Sequence, residues 1–314
     1  MYPILGQHYS IAGHSQTTDM APLQQTDQDA MAWLPKCPNP RLVQHVITAE
    51  RIHIRHQAQA LQAINPDGGF ATYDVGNTTT IRCPPEPDGK MNHTVGFGMY
   101  GPVTRSELLA TEREPPDGTP EIYMCEYAHG SAWALLRDEG YDGIRSISHF
   151  VRDLRQAMTI QQDAEDVIIT TVPLQKTADF IAASVDGFRD GDRRPSLLAL
   201  LAESAAHRTG TDTTLFFATV KGSLAGCAAL ACMAVDDDGT KIGNLYIDST
   251  LPAFRGQGVH QALLRARLQA AKEAGCRYVI ATARVGSGSA RNIQKAGLER
   301  LFDSRIFGKK AAEL

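Results

Sequence analysis

The residues with the clearest capacity for chemistry lie in the segment RGQGVH, which runs from Arg255 to His260. Gly256 and Gly258 have no Cβ, so the backbone N–H groups around them can approach a ligand closely. A helical pattern follows directly, and the first turn of a helix presents unpaired N–H groups and the positive end of its dipole. Arg255 adds a positive charge. Together these features predict a cradle for an anion such as a pyrophosphate.

Taken alone, the same glycine segment could be only a tight turn between a strand and a helix. Two familiar phosphate-binding patterns do not match it. No third glycine completes the dinucleotide pattern GxGxxG, and no Gly-Lys-Ser/Thr follows as in a P-loop. The choice between an anion cradle and a bare turn therefore depends on the surrounding elements.

Helices and strands alternate around this segment. In the second half of the chain the hydrophobic patterns predict helices over 178–188, 195–207, 258–274 and 289–296. They predict strands at VIITTV, LFFATVKG, LAGCAALACMAV, KIGNLYIDSTL, RYVIATARV and LERLFDSRIFG. The first half has a helical pattern over 42–63, strands within 68–82 and at EIYMCEY and IRSISHFVRDL, and a helix at GSAWALLRDEG. This alternation predicts an α/β protein built on a mixed sheet.

An internal repeat links the two halves. The segment ALLRDEGYDGIRSISHFVRDL aligns with NIQKAGLERLFDSRIFGKK, and Gly140 matches Gly297. Each copy reads as a helix, a glycine, a large side chain and a strand. Two copies of one fold explain this repeat, although two unrelated domains could also end alike. The predicted organisation is a polar leader over 1–36, a first domain over 37–160 and a second domain over 165–314.

Composition and charge narrow the class of protein. The chain has 314 residues and a formal net charge of −4, which disfavours nucleic acid as a partner. No apolar run is long enough to span a membrane, and the N-terminal residues lack the pattern of a secretory signal. We therefore expect a cytoplasmic protein. The six cysteines form no C-x-x-C pair, so we expect free thiols; no metal site is predicted.

The glycine segment and its neighbours resemble the GNAT superfamily of N-acetyltransferases. The signature of that superfamily is arginine or glutamine, two variable residues, glycine, one variable residue and glycine or alanine, between the fourth strand and the third helix. The matching positions here are Arg255, Gly256, Gln257, Gly258, Val259 and His260. His260 departs from the signature, because a small residue is usual there. Asn292 and Gly297-Leu298 resemble the later asparagine and Gly-Phe of the superfamily. The resemblance covers roughly 165–309.

The resemblance implies two tandem GNAT-like domains, of which the first is degenerate. Gly96 and Gly98 precede a helix there, but no arginine stands at the matching place. We expect the first domain to complete the acceptor groove. The implied cofactor is acetyl-CoA. Its expected contacts are Leu245, Tyr246, Ile247, Arg255, Gly256, Gln257, Gly258, Val259, His260 and Asn292.

Asp248 is the first candidate for a catalytic residue, since it lies on the strand that the resemblance places beside the thioester. A base is useful because aliphatic amines, with a pKa of about 10, are mostly protonated at neutral pH. The alternative interpretation of Asp248 is a solvated carboxylate at the strand end or a turn cap. Tyr246 is a weaker candidate, since it could simply pack. The tyrosine that many members use as general acid falls on Ile293 here, which cannot donate a proton.

Three other groups of polar residues near the signature have structural interpretations. Ser287 and Ser289 could cap a helix or lie in a loop. Arg265 and Arg267 are expected on a solvated helix face. His260 is expected to pack or to lie beside the phosphates, because a helix N-terminus disfavours imidazolium.

The predicted function is transfer of an acetyl group from acetyl-CoA to a primary amine, most simply that of a small molecule, by direct attack in a ternary complex. A monomer or a homodimer is expected. Three alternatives stay open: a non-catalytic acyl-CoA binding module, an N-acetyltransferase of proteins or peptides, and an acyl-CoA enzyme with another outcome such as O-acylation. The helices over 178–207 and the first domain are expected to select the acceptor.

Overall fold

The computed structural model describes residues 37–84, 89–113, 119–157, 166–189, 191 and 193–309. The predicted polar leader over 1–36 lies outside these residues. Within them the chain forms seven α-helices: α1 (Pro40–Ile64), α2 (Arg105–Arg113), α3 (Gly130–Asp138), α4 (Thr177–Gly187), α5 (Pro195–His207), α6 (Val259–Glu273) and α7 (Gly288–Lys295). The strands in the same residues are β1 (Ala71–Val75), β2 (Thr78–Arg82), β3 (His93–Val95), β4 (Glu121–Cys125), β5 (Tyr141–Asp153), β6 (Val167–Thr171), β7 (Thr213–Val220), β8 (Ser223–Ala234), β9 (Lys241–Thr250), β10 (Tyr278–Arg284) and β11 (Glu299–Lys309).

All of these strands belong to one mixed sheet, in the order β1-β2-β3-β4-β11-β5-β10-β9-β8-β7-β6. Two neighbouring pairs are parallel, β3 with β4 and β9 with β10. The remaining pairs are antiparallel. The predicted α/β class with a mixed sheet is therefore confirmed.

The last strand of each half lies in the part of the sheet that the other half builds. β5 pairs antiparallel with β10, with Phe150 opposite Ala281. In the same way β11 pairs antiparallel with β4, with Ser304 opposite Cys125. β5 and β11 also pair with each other along most of their lengths. The final strand of each half therefore pairs with a strand of the other half, and the sheet is continuous across the two halves. Residues 158–165, at the predicted domain boundary, lie outside the described residues, so the predicted domain limits stay a prediction.

The internal repeat of the sequence is also a repeat of structure. Each copy has two parallel strands joined by a helix, then a second helix and a final strand. The copies are β3-α2-β4-α3-β5 and β9-α6-β10-α7-β11. Gly140 and Gly297 join the last helix to the last strand in the two copies, with φ of 77° and 83°. This left-handed conformation is readily adopted only by glycine. The two glycines therefore mark equivalent turns.

Helices cover both faces of the second half of the sheet. Leu263 and Leu264 of α6 are fully buried against one face, together with Ile293 of α7. On the other face, Phe180 of α4 and Ala202 of α5 are fully buried in a separate apolar core. β9 lies between these two cores, so its side chains reach both.

α1 of the first half is tied to the rest of the molecule by contacts between histidines and carboxylates. Two of its histidines and one of its glutamates take part: His45 Nε2 lies 3.3 Å from Asp236 Oδ2, His56 Nδ1 lies 2.7 Å from Asp212 Oδ2, and Glu50 Oε1 lies 2.9 Å from His149 Nδ1 on β5. Asp212 also accepts two hydrogen bonds from Arg208, at 2.8 and 2.7 Å. These pairs anchor α1 over the sheet.

Replacing Asp212 with asparagine should destabilise the protein by about 1–3 kcal/mol at neutral pH. Burial alone would raise the pKa of this carboxyl group, but His56 and Arg208 outweigh burial and hold its pKa well below the usual range. A lowered folded-state pKa gives stability that is complete above the unfolded value of about 4 and is lost as the pH falls through the folded value. Urea unfolding at pH 7 and below pH 4 measures this effect.

The difference in unfolding free energy between wild type and Asp212→Asn should shrink below pH 4. Asp237→Asn is the matched control, because Asp237 is exposed on the nearby β8–β9 turn. An equal loss for Asp212→Asn at both pH values would contradict the assigned charge contacts.

The described residues also bear on the expectations about cysteines, membrane-spanning helices and metal sites. All six cysteines are free thiols, as predicted, and five of them are buried. No helix in these ranges is both long and apolar enough to cross a membrane. No group of three or more histidine, cysteine or acidic side chains among them is placed to hold a metal ion.

Candidate active site

β9 contains a bulge at the point where the sequence predicts catalysis. Its ladder with β8 shifts register, so that Tyr246 pairs with Ala229 and Ser249 pairs with Cys227. Two residues of β9, Ile247 and Asp248, therefore stand opposite a single residue of β8. Ile247 has φ of +53°, which a β-branched residue adopts only at a cost of the order of 1–2 kcal/mol. The bulge must therefore be held in place by its surroundings.

β9 and β10 stop pairing directly before the bulge. Their parallel ladder runs from Ile242 opposite Tyr278 to Leu245 opposite Ala281. Beyond Ala281, β10 continues along β5 only, as far as Arg284. The backbone of the bulge therefore borders a gap between β9 and β10, which pair with each other only over the residues that precede the bulge.

Arg267 of α6 holds both sides of the bulge, which corrects the expectation that it lies on a solvated face. Its side chain is fully buried. Nη1 donates to the carbonyls of Ala229 and Tyr246, at 3.1 and 3.4 Å, and Nε donates to that of Leu263 at 3.1 Å. Nη2 forms an ion pair and a hydrogen bond with the Asp248 carboxylate. The guanidinium group thus contacts Tyr246 and Asp248, the residues on either side of Ile247.

Asp248 is an anion fixed by this contact. Burial would raise its pKa, but the charge of Arg267 and the neighbouring His260 outweigh burial and hold the pKa well below the usual range. A carboxylate with so low a proton affinity is a poor general base at neutral pH. The geometry therefore favours a role for Asp248 in holding the bulge over the predicted role of base.

His260 connects the bulge to α7. Its Nε2 lies 3.4 Å from Asp248 Oδ1, and its Nδ1 lies 2.9 Å from Asn292 Nδ2. An amide nitrogen only donates, so Asn292 Nδ2 donates to Nδ1 of the ring, and Nε2 lies on the side of the Asp248 carboxylate. The backbone carbonyl of Asn292 also accepts a hydrogen bond from Gln261 Nε2, at 2.7 Å. The His260 side chain, which replaces the small residue of the superfamily signature, thus links α6 to β9 and to α7.

Tyr246 lies on the face of the sheet opposite Asp248. Its hydroxyl is 3.4 Å from Thr213 Oγ1, and its ring contacts that of His53 on α1 edge-on, with centroids 4.6 Å apart. Burial raises the pKa of this phenol above its usual value, so the group stays protonated. Leu245, one residue earlier, is buried in the core beneath α6. The two catalytic candidates are therefore separated by the sheet, and only Tyr246 faces the first half.

The glycine segment has the backbone that an anion cradle requires. Gly256 and Gly258 have φ of 78° and 82°, and a Cβ added to Gly256 would point into open space. Gly258 is the N-cap of α6, and no side chain caps this helix in the structure as described. The N–H groups of the first turn, which include those of Val259 and His260, are therefore left for a ligand or for water.

The remaining residues of the segment pack around the loop. Arg255 Nη2 donates to the carbonyl of Gly187 at 3.0 Å, which joins the loop to the end of α4. Gln257 Nε2 donates to the carbonyl of Ala253, also at 3.0 Å. The side chain of Val259 is buried. The structure thus places the predicted cofactor residues in one region that runs from β9 through the loop to α6, with Asn292 joined to it through His260.

α7 offers no acid at the position where the superfamily tyrosine is expected. Ile293 is buried in the core under α6. Ser287 caps the helix, with its Oγ accepting from the N–H of Ala290 at 3.1 Å. The interpretation of this serine as a helix cap is therefore confirmed.

The equivalent loop of the first half is closed. A Cβ on Gly96 would lie 2.9 Å from the carbonyl of Asn77, and one on Gly98 would lie 2.7 Å from Cβ of Ala132. These glycines permit close packing, so their loop does not leave backbone open to a ligand. The adjoining cavity measures about 120 Å³, which is well below the roughly 300 Å³ of a small ligand pocket.

A carboxylate also occupies the start of α2, the helix equivalent to α6. Glu107 Oε2 accepts from the N–H of Thr104 at 2.7 Å, and Thr104 Oγ1 accepts from the N–H of Glu107 at 3.3 Å. These two reciprocal hydrogen bonds form a capping box. The start of α6, in contrast, has no side-chain cap in the structure as described.

Comparisons with known proteins match this region. A model of the acetyltransferase (GNAT) family matches residues 182–297, which include β9, the glycine loop, α6 and α7. A solved GCN5-related N-acetyltransferase from Kribbella flavida aligns over 84% of this chain and 96% of its own, with a TM-score of 0.57 and 14% identity. Another, from Sphaerobacter thermophilus, aligns over 82% and 93%, with a TM-score of 0.48 and 15% identity. No curated protein is similar enough in sequence to match.

The Kribbella structure is similar in fold across both halves, whereas the family model identifies the second half in particular. Proteins of this family transfer an acetyl group from acetyl-CoA to an amine. Residues 182–297 of this chain therefore form an acetyltransferase domain of the GNAT family.

Proposed function

We propose that this chain transfers the acetyl group of acetyl-CoA to the primary amine of a small molecule, with both substrates bound together. The observation that carries the proposal is the uncapped start of α6, which follows two glycines with left-handed backbone and lies one loop away from the β9 bulge. An anion at the helix start and a reacting group at the bulge can then belong to one elongated molecule.

The residues present fit acetyl-CoA, which supplies an acetyl thioester when it is bound. The first-turn N–H groups of α6 would bind its pyrophosphate, aided by the helix dipole. The bulge at Ile247 would turn backbone N–H groups toward the gap between β9 and β10 and polarise the acyl carbonyl. Such donors act without rearrangement only if they are fixed, which is the part that we assign to Arg267 and Asp248.

The side chains around the bulge have distinct proposed roles. Arg267, Asp248 and His260 position the backbone and do not touch the acceptor. Tyr246, which stays protonated and faces the first half, is the remaining candidate to contact the acceptor or to donate a proton. Holding amine and thioester together supplies the proximity contribution to the rate.

We propose that the first half of the chain forms a wall of the acceptor groove and binds no acyl-CoA itself. Two observations support this: His53 of α1 contacts Tyr246 beside the bulge, and the loop equivalent to the cofactor cradle is closed by packing and by Glu107. A groove between two halves of a molecule suits a small ligand more than a folded protein.

The test is calorimetric titration with acetyl-CoA and free CoA, followed by thiol release with a panel of small amines and mass measurement of the products. We expect micromolar binding of both ligands and a product heavier than the amine by one acetyl group. Binding without turnover on any amine or peptide would indicate a non-catalytic acyl-CoA module. Turnover only on peptides would overturn the small-molecule acceptor, and acetyl esters as products would overturn amine transfer.

A further inference from the structure

The gap between β9 and β10 is crossed on one face of the sheet by α1. In the sheet β10 lies between β5 and β9. α1 contacts both of these neighbours: the ring of His53 touches that of Tyr246 on β9, and Glu50 Oε1 lies 2.9 Å from His149 Nδ1 on β5. Glu50 and His53 are three residues apart, so they share one face of the helix. α1 therefore passes over β10 at the gap, with one of these two contacts on each side of it.

The residues under this part of α1 form one row across the sheet. His149 pairs with Thr282, which is the first residue of β10 beyond the end of its ladder with β9 and stands level with Tyr246 across the gap. Successive side chains of a strand point to opposite faces. Ile280 shares an apolar core with α1 and Ala281 shares one with α6, so Thr282 is on the α1 side. Thr282 is exposed, so the row contains an open space between Tyr246 and His149.

Glu50 is the carboxylate of this region that is best placed to meet an amine. Asp248 and Asp212 are each paired with an arginine, and the pKa of each is held well below its usual range. Glu50 instead contacts a histidine, and its side chain keeps 16% of its surface exposed. The ring of His149 is stacked on that of Phe302, with centroids 4.1 Å apart, which fixes its position. Glu50 is therefore a fixed carboxylate with access to the open space over the gap.

We propose that the Glu50 carboxylate binds the ammonium group of the acceptor in this space and accepts a proton from it as the amine attacks. The proposal rests on the proposed function, since it assigns a catalytic residue for the same reaction. A primary ammonium group carries three protons on nitrogen, and the product amide keeps one. As the C–N bond forms and the C–S bond of the thioester breaks, one proton goes to the departing sulfur. The other goes to Glu50, which returns it to water, so the first half of the chain supplies the base.

Two acceptors of nearly equal shape, phenethylamine and O-benzylhydroxylamine, test the proposal. At neutral pH the first is mostly an ammonium ion, whereas the second is mostly neutral because the oxygen beside its nitrogen lowers its basicity. The neutral acceptor loses a single proton, which goes to the sulfur, so it does not need Glu50. Where the amine panel gives a better alkylamine, the pair is that amine and its isosteric O-alkylhydroxylamine.

The variant is Glu50→Gln, which keeps the shape of the side chain and removes the base. His45→Gln is the matched control, because it removes another contact between a histidine and a carboxylate of α1, 3.3 Å from Asp236. Thiol release gives kcat and KM for each acceptor. Calorimetric titration with acetyl-CoA shows that each variant is folded.

We expect Glu50→Gln to lower kcat for phenethylamine by about 100-fold or more, and to lower kcat for O-benzylhydroxylamine by a few-fold at most. His45→Gln should act on both acceptors alike, because loosening α1 does not depend on the protonation of the acceptor. Both variants should bind acetyl-CoA as wild type does. Equal losses for the two acceptors in Glu50→Gln, or no loss for either, would overturn the proposal.

The two proposals fail in different ways. If wild type acetylates both acceptors and Glu50→Gln does not distinguish them, the proposed function stands and the role of Glu50 falls. If wild type binds acetyl-CoA and acetylates no amine, the proposed function fails. Calorimetry of phenethylamine on protein saturated with CoA then decides whether Glu50 binds an ammonium group, and equal affinities of wild type and Glu50→Gln would overturn that role too.

Discussion

Replacing Gly258 with aspartate should weaken acetyl-CoA binding by about 100-fold or more, which corresponds to about 2.7 kcal/mol. The new carboxylate would lie at the N-cap of α6, where no side chain now caps the helix. There it would accept hydrogen bonds from the first-turn N–H groups of α6 and repel the pyrophosphate. In the first half, the carboxylate of Glu107 occupies the start of α2 in a similar way. Calorimetric titration of the folded variant with acetyl-CoA measures the loss.

Backbone strain must be separated from this charge effect, because Gly258 has φ of 82°. Gly258→Ala introduces the strain without the carboxylate and should lose only several-fold in affinity. Gly239→Asp is the second control: Gly239 has φ of 77°, and its Cβ would meet nothing, but it lies on the β8–β9 turn at the other end of β9. Unchanged acetyl-CoA binding by Gly258→Asp would remove the helix start from the site.

Replacing Arg267 with methionine should reduce the free energy of unfolding by about 3–5 kcal/mol. The variant leaves the Asp248 carboxylate without its counter-ion and deprives the carbonyls of Ala229 and Tyr246 of a donor. Removing one partner of a buried pair is costly because the other charge stays out of water. Denaturant unfolding measures the loss, and the same variant should lower the rate of acetyl transfer because the bulge is no longer fixed.

A double variant distinguishes the loss of charge pairing from simple loss of packing. Adding Asp248→Asn to Arg267→Met removes the stranded charge, so the pair should be more stable than Arg267→Met alone. Arg265→Met, at a partly exposed position on the same helix, should cost less than about 1 kcal/mol. Additive losses from the Arg267 and Asp248 changes would mean that the two side chains do not depend on each other.

Much of the fold follows from local patterns in the sequence. The alternation of helices and strands predicted the α/β class, and the matching Gly140 and Gly297 turns predicted the repeat. Both are local signals, since hydrophobic periodicity and a glycine at a helix end are set by neighbouring residues. The exchange of β5 and β11 is not local. Their pairing partners lie in the opposite half of the chain, and nothing in the strand sequences distinguishes one such neighbour from another.

The open glycine loop before a helix was predictable because its conformation needs only its own residues. Arg267 was misjudged, although the pattern held the signal: it stands four residues after Leu263, three after Leu264 and four before Ala271, all of them buried. A charged residue on the apolar stripe of a helix needs a buried partner. His260 gave no such signal, because its role depends on contacts with Asn292 of α7 and with Asp248 of β9.

The exchanged strands have a consequence for how this chain is made. β4 completes its ladder only with β11, whose residues follow it by more than 170 positions, as in the pair Ser304 and Cys125. The first half therefore leaves the ribosome with one strand of its sheet still missing, and the edge of β4 stays unpaired on that side until β11 has been synthesised. We expect the nascent first half to be sensitive to proteases and to rely on chaperones until β11 has been synthesised, and the two halves to become stable at the same moment.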